Sequence, residues 1–148
     1  MRKVFVCLAF VSLSGFAAGE DANELKPFAT DGCSEFPDGT LEQKNLWLQC
    51  CIAHDVAYWI GGTAQEREAA DEQLQACVAA VGQPEIATLM LAGVRVGGSP
   101  FWPTRYRWGY GWPYWDGLFP RGYKAIDEGD KREATTLLPE ELQDNLLP

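Results

Sequence analysis

The stretch CCIAHDVAY, Cys50 to Tyr58, sets the strongest constraint on this chain. Its two adjacent cysteines stand between Cys33 upstream and Cys77 downstream, and a fifth, Cys7, lies near the amino terminus. Disulfides in a short chain fix which elements can be neighbours. Adjacent residues on a helix point about 100° apart, so Cys50 and Cys51 are poorly placed to bond each other. Four cysteines allow three pairings, and spacing does not choose strictly among them. Free buried thiols are the plainer alternative.

Compartment decides whether such thiols oxidise. Arg2 and Lys3 precede VFVCLAFVSLSGFAA, an apolar run that ends in small residues. That is the pattern of an export signal, too short to span a bilayer and without a basic stop-transfer flank. Cleavage is expected after Ala17 or Gly19, so residues 1–19 are set aside as a signal peptide. Cys7 goes with them, and no cysteine stands where a lipoprotein cleavage site would need one. The protein is expected to be secreted or periplasmic, with two disulfides.

The 148 residues suffice for one domain with a modest core. The formal charge is −9, and losing Arg2 and Lys3 makes it more negative. Phosphate backbones need a basic surface, so no nucleic-acid partner is expected. The charge is uneven: from Arg95 to Lys124 there are five basic residues and Asp116 alone as an acid. From Ala125 onward there are seven acids against Lys131 and Arg132. We read residues 20–124 as the folded domain and residues 125–148 as an acidic, weakly attached tail.

The fold expected is mainly α. FATDGCSEFPDG carries Gly32, Pro37 and Gly39 and reads as a loop. Thr40 with Gln43 makes a T-x-x-Q capping box, so a helix is expected from Thr40, with Leu46, Cys50, Ala53 and Ala57 on one face. Gly61-Gly62 ends it. Thr63 with Glu66 opens a second helix, which runs to about Val81 and stops at Gly82. Pro84 begins a third, PEIATLMLAGVRV, which stops at Gly97-Gly98. The short turn makes the first two helices antiparallel. Ala53, Ala57, Ala69 and Ala70 would let them approach closely. Such packing brings Asp71 near the level of His54, and a bridge between Cys50 and Cys77 would hold the two helices together.

His54 is the only histidine, and an imidazole can act as a general base on water. A base works best when a second group fixes its ring and stabilises its protonated form, a role open to Asp71 on the facing helix. Asp55 points to a neighbouring helix face and can instead hold a hard cation such as Ca2+ through its oxygens. The loop TDGCSE can add Asp31 and backbone carbonyls to the same ion. A His-Asp pair taken alone is more often a surface contact, and Asp71 alone an ordinary solvated acid.

CCIAHDVAY, together with DEQLQAC from Asp71 to Cys77, resembles the secreted phospholipase A2 family. There the active-site helix carries Cys-Cys-x-x-His-Asp-x-Cys-Tyr, and a second helix carries Asp with a cysteine six residues later. Ala57 stands where the first motif has a further cysteine, and Ala70 stands where that cysteine's partner would be. DGCSEFPD looks more like the bacterial members than the glycine-rich calcium loop of the animal enzymes, and the animal amino-terminal helix is absent. The likeness covers about Asp31 to Val81, a third of the chain. It implies a disulfide-linked antiparallel helical hairpin of phospholipase A2 type, with bridges Cys33–Cys51 and Cys50–Cys77. It implies His54, Asp71 and Tyr58 as the catalytic group, and Asp55, Asp31 and the Gly32 carbonyl as Ca2+ ligands. On the animal pattern the carbonyls of Ser34 and Phe36 would be the loop ligands instead, with Asp55 shared by both patterns. The implied reaction is calcium-dependent hydrolysis of the sn-2 ester of a glycerophospholipid at a phospholipid membrane surface.

Outside that likeness lies FWPTRYRWGYGWPYWDGLFPRGY, Phe101 to Tyr123, with ten of the eighteen aromatics. Trp108, Trp112 and Trp115 can dock on a membrane interface, cover the thin helical core as a wrapping coil, or do both in part. The Gly-Pro spacing favours the coil. The rival function is a non-catalytic module that binds lipid, glycan or protein through this segment. A cysteine-framework structural protein is a second rival. Zinc is disfavoured, because one His and a Cys-Cys pair lack the usual spaced ligand pairs.

Overall fold

The structure is a computed structural model that describes residues 23–146. The expected signal peptide and Cys7 lie outside these residues. Helix α1 spans Leu48–Ile60, α2 Ala64–Ala80, α3 Pro84–Gly97 and α4 Glu128–Leu137. A short antiparallel pair, β1 (Trp115–Asp116) and β2 (Phe119–Pro120), precedes α4, and a 3-10 helix, Glu140–Leu146, follows it. The chain is therefore mainly helical with two disulfides, Cys33–Cys51 and Cys50–Cys77.

The helices form where local signals are strongest. Thr63 caps α2: its hydroxyl accepts from the Glu66 amide, and the Glu66 carboxylate accepts from the Thr63 amide. Pro84 sits in the first turn of α3, where a missing N–H costs nothing. Contacts between α1 and α2 run in opposite directions, Cys50 to Cys77, His54 to Asp71 and Tyr58 near Arg67, so the two helices are antiparallel. Leu74 and Val78 of α2 join Cys50, Cys51, Ala87 and Met90 in one buried cluster. Ala70 and Ala57 pack with Tyr58 and Trp108 in another, whereas Ala69 faces solvent, one helical step aside.

Three expectations are corrected. The first helix begins at Leu48, not Thr40. Thr40 and Gln43 do bond as a capping pair, but they close an isolated turn, since the Thr40 amide also donates to the Gln43 carbonyl. The Trp47 indole N–H and amide donate to Pro37 and Asp38, which folds the segment back on the loop before the helix can start.

The acidic tail is not weakly attached. Asp127 caps α4 reciprocally with Asp130, and Ala134 and Leu138 are buried against Leu25, Val56, Trp59, Ile60 and Trp112. Apolar contact on one face fixes the segment, Glu133 adds a bond from the Leu25 amide, and Asp127 and Glu128 face water.

The aromatic segment is not a uniform coil. It contains the β1–β2 pair, turned at Gly117-Leu118, and it divides by burial. Trp108 and Trp112 are each 2% exposed, while Trp115 is 58% and Phe119 75% exposed.

The buried half of that segment completes α1. The last carbonyls of a helix have no partner inside it. Here Tyr58 O accepts from the amides of Gly109 and Tyr110, and Trp59 O from that of Gly111. The indole N–H groups of Trp112 and Trp108 donate to Ile60 O and Gly62 O. So close an approach needs glycine at the crossing, since a Cβ on Gly61 would lie 2.7 Å from the Gly109 Cα. Buried Arg107 holds the loop's shape by donating to the carbonyls of Trp108, Gly109 and Trp112.

Candidate active site

Residues 50, 54 and 58 follow one face of α1, and residues 67, 71, 74 and 78 the facing side of α2. This register sets His54 Nε2 3.0 Å from Asp71 Oδ1. Tyr58, one turn on, donates its hydroxyl to the same oxygen at 2.7 Å. Asp71 is fully buried, and the His54 side chain is 8% exposed. A carboxylate accepts only, so Nε2, the nitrogen facing it, carries a proton and Nδ1 is the ring nitrogen turned away from Asp71. The Asp71 Oδ2 atom has no hydrogen bond, but Arg95 Nε lies 3.4 Å away and supplies opposite charge. Arg67 donates to the Tyr58 hydroxyl at 3.1 Å and to the Tyr123 hydroxyl at 2.9 Å. It also donates to the carbonyls of Val94 and Arg95, fixing α3 to this network. Burial and the Asp71 charge push the Tyr58 phenol up, so it remains a donor.

His54 and Asp55 line a cavity of about 360 Å³ with Gly32, Tyr58 and the apolar residues Phe36, Leu74, Met90 and Val94. Its volume suits a small-molecule ligand. The two disulfides tie its loop wall to α1 and α1 to α2.

Asp55 accepts from the Thr30 hydroxyl at 2.6 Å. Burial raises its carboxyl to about 7, the Thr30 bond opposes the rise, and the Asp31 charge adds to it. Asp31 lies outside the cavity lining: one of its oxygens accepts from Ser34, and the other is 3.5 Å from Arg105. Among the described residues, no three His, Cys, Asp or Glu side chains cluster to hold a metal ion. A cation at Asp55 would rely on hydroxyl and carbonyl oxygens as well. A desolvated carboxylate with a second carboxylate's charge acting on it and hydroxyl oxygen beside it has donor chemistry that fits a hard cation.

The sequence-predicted His54, Asp71 and Tyr58 thus come together, Asp55 and Gly32 share their cavity, and Asp31 touches the group only through its field. Arg95, Arg67 and Thr30 were not foreseen. Arg67 had a signal, because it lies one turn before Asp71 on the same helix face. Arg95 and Thr30 had none, since each reaches the site from a separate element. No protein-family model, curated protein or solved structure matches the chain.

Proposed function

We propose that this protein is a secreted, calcium-dependent hydrolase of phospholipase A2 type that cleaves the sn-2 ester of glycerophospholipids. The observation that carries this reading is the buried Asp71 holding His54 Nε2 at 3.0 Å, with the ring at the wall of an apolar cavity beside Asp55. A structural module needs an apolar cavity or a His-carboxylate pair for neither its folding nor its solubility.

Water attacks the ester carbonyl as His54 Nδ1 takes its proton. The C–O bond to the glycerol oxygen breaks, and protonated His54 returns the proton to that oxygen. The products are a fatty acid and a lysophospholipid. Asp71 keeps the ring oriented and offsets its positive charge, while Tyr58 donates to one Asp71 oxygen and Arg95 sets a positive charge beside the other. Asp55, Asp31 and the Gly32 carbonyl are the residues that would hold Ca2+. When bound, that ion supplies positive charge to the substrate phosphate and to the oxyanion.

Leu89, Val96, Phe101 and Trp102 are all more than half exposed. Leu89 lines the cavity, Trp102 donates to the Val96 carbonyl at 3.3 Å, and Phe101 meets Tyr123 edge to face. Apolar and aromatic side chains beside the cavity suit contact with a phospholipid membrane surface. The same residues would serve a non-catalytic lipid-binding module. Fatty-acid release from mixed phospholipid vesicles separates the two. The hydrolase gives release that needs calcium and stops in chelator, whereas binding with no release in either condition rejects it.

A further inference from the structure

Helix α3 carries Gly93 and Gly97 one turn apart, and Gly98 caps it. Glycine inside a helix is unfavourable because it loses the most backbone freedom. Two of them on one face therefore require a reason. Tight packing is not that reason, since a Cβ built on either would meet nothing within 4 Å. Gly98 is the contrast, because a Cβ there would strike the Tyr58 ring and hydroxyl. All three line the cavity that holds His54. They grade from buried Gly98 through half-buried Gly97 to exposed Gly93, beside exposed Leu89. The glycines thus give the α3 wall width from the His54 end out to the surface. The polar side chains of the lining, Ser34, Glu35, His54, Asp55, Tyr58 and Tyr106, all come from outside α3, so the α3 wall itself offers a ligand only apolar surface.

We propose that Gly93 and Gly97 are specificity-determining positions. They hold open a groove along α3 for one long, unsubstituted acyl chain, which leaves the cavity beside Leu89. The proposal rests on reading the cavity as the hydrolase site above. A short chain would end near His54 and feel neither glycine. A long one lies across both.

The test is the series Gly97→Ala, Gly97→Leu and Gly93→Leu, with Ala92→Leu as a control, since Ala92 is exposed on α3 and outside the cavity lining. Open space at both glycines and a gain in helix propensity predict variants that melt at or above the parent temperature. Two readouts follow. The ratio of kcat/KM for a long-chain over a short-chain phospholipid should fall at least tenfold in Gly97→Leu, fall less in Gly97→Ala and stay level in Ala92→Leu. Binding of a fluorescent long-chain fatty acid, measured in chelator, should be kept by the parent and by His54→Gln and lost in Gly97→Leu. If the parent hydrolyses nothing but binds the probe, and Gly97→Leu does not bind it, the reaction is rejected and the groove stands. Failure of the parent to bind the probe overturns the groove. So does unchanged probe binding and chain-length ratio in folded Gly93→Leu and Gly97→Leu.

Discussion

Asp55 is the residue whose surroundings least suit it in the metal-free protein. Its carboxyl sits near 7 against an ordinary 3.8, chiefly through burial. Between about pH 4 and pH 7 the folded protein therefore keeps a proton that the unfolded chain has released. The contribution of this group to stability is full below the ordinary value and is lost as pH rises through about 7. A divalent cation reverses that loss by favouring the charged form. We expect the melting temperature in chelator to fall as pH rises across this window, and excess Ca2+ to restore it above pH 7. Asp55→Asn should show neither effect. Calcium affinity by calorimetry should tighten from pH 6 to pH 8, and an affinity flat across that range would remove Asp55 as a ligand. Tyr58→Phe makes a second test at this scale. It takes one donor from buried Asp71 and leaves Arg67 Nε without its acceptor, at a cost of about 1–3 kcal/mol read from denaturant unfolding. An unchanged midpoint would mean that water replaces the phenol.

The carboxyl end of α1 depends on the aromatic segment for its hydrogen bonds. Trp108→Phe keeps most of the buried ring but leaves the Gly62 carbonyl without its indole donor, and Trp112→Phe does the same to Ile60. Each should cost about 1–3 kcal/mol in unfolding. Trp115→Phe, at an exposed position, should cost close to nothing. Equal effects at all three would contradict the division of the segment into core and surface. The hairpin of α1 and α2 was legible because its signals are local: a capping box, a Gly-Gly stop and side chains at helical spacing. His54 and Asp71 could be brought together from chain register alone. The partners that reach the site from elsewhere could not, since Arg95 and Thr30 meet it only after α3 and the loop have packed. The start of α1 was misread because T-x-x-Q describes a turn as well as a helix, and Trp47 decides between them by bonding backward to Pro37. The attachment of α4 was obscured by its acidic composition, although Asp127 with Asp130 and the apolar Ala134, Leu137 and Leu138 carry a capping and amphipathic pattern. Gly117-Leu118, with glycine at the first turn position, likewise marked the β1–β2 turn.

At the scale of the whole molecule, exposed aromatic and apolar side chains stand apart from the buried core. No helix among the described residues is long and apolar enough to cross a membrane. Contact with lipid in the proposed function is therefore assigned to the exposed side chains. Replacing Trp102, Trp115 and Phe119 by Ala should leave the melting temperature nearly unchanged, because all three are more than half exposed. Hydrolysis of vesicles should fall at least tenfold while that of monomeric short-chain lipid changes little, since only the former needs interfacial binding. Parallel loss on both substrates would make the segment structural instead. The hydrolase itself is tested most directly with a phospholipid carrying different labels on its sn-1 and sn-2 chains, incubated with the parent and with His54→Gln in calcium. The parent should release the sn-2 label, and His54→Gln, with the parent's circular dichroism and melting temperature, should release it at least a hundredfold more slowly. No release by the parent, or release by His54→Gln within tenfold of it, would contradict the assignment of His54 as the base of a phospholipase.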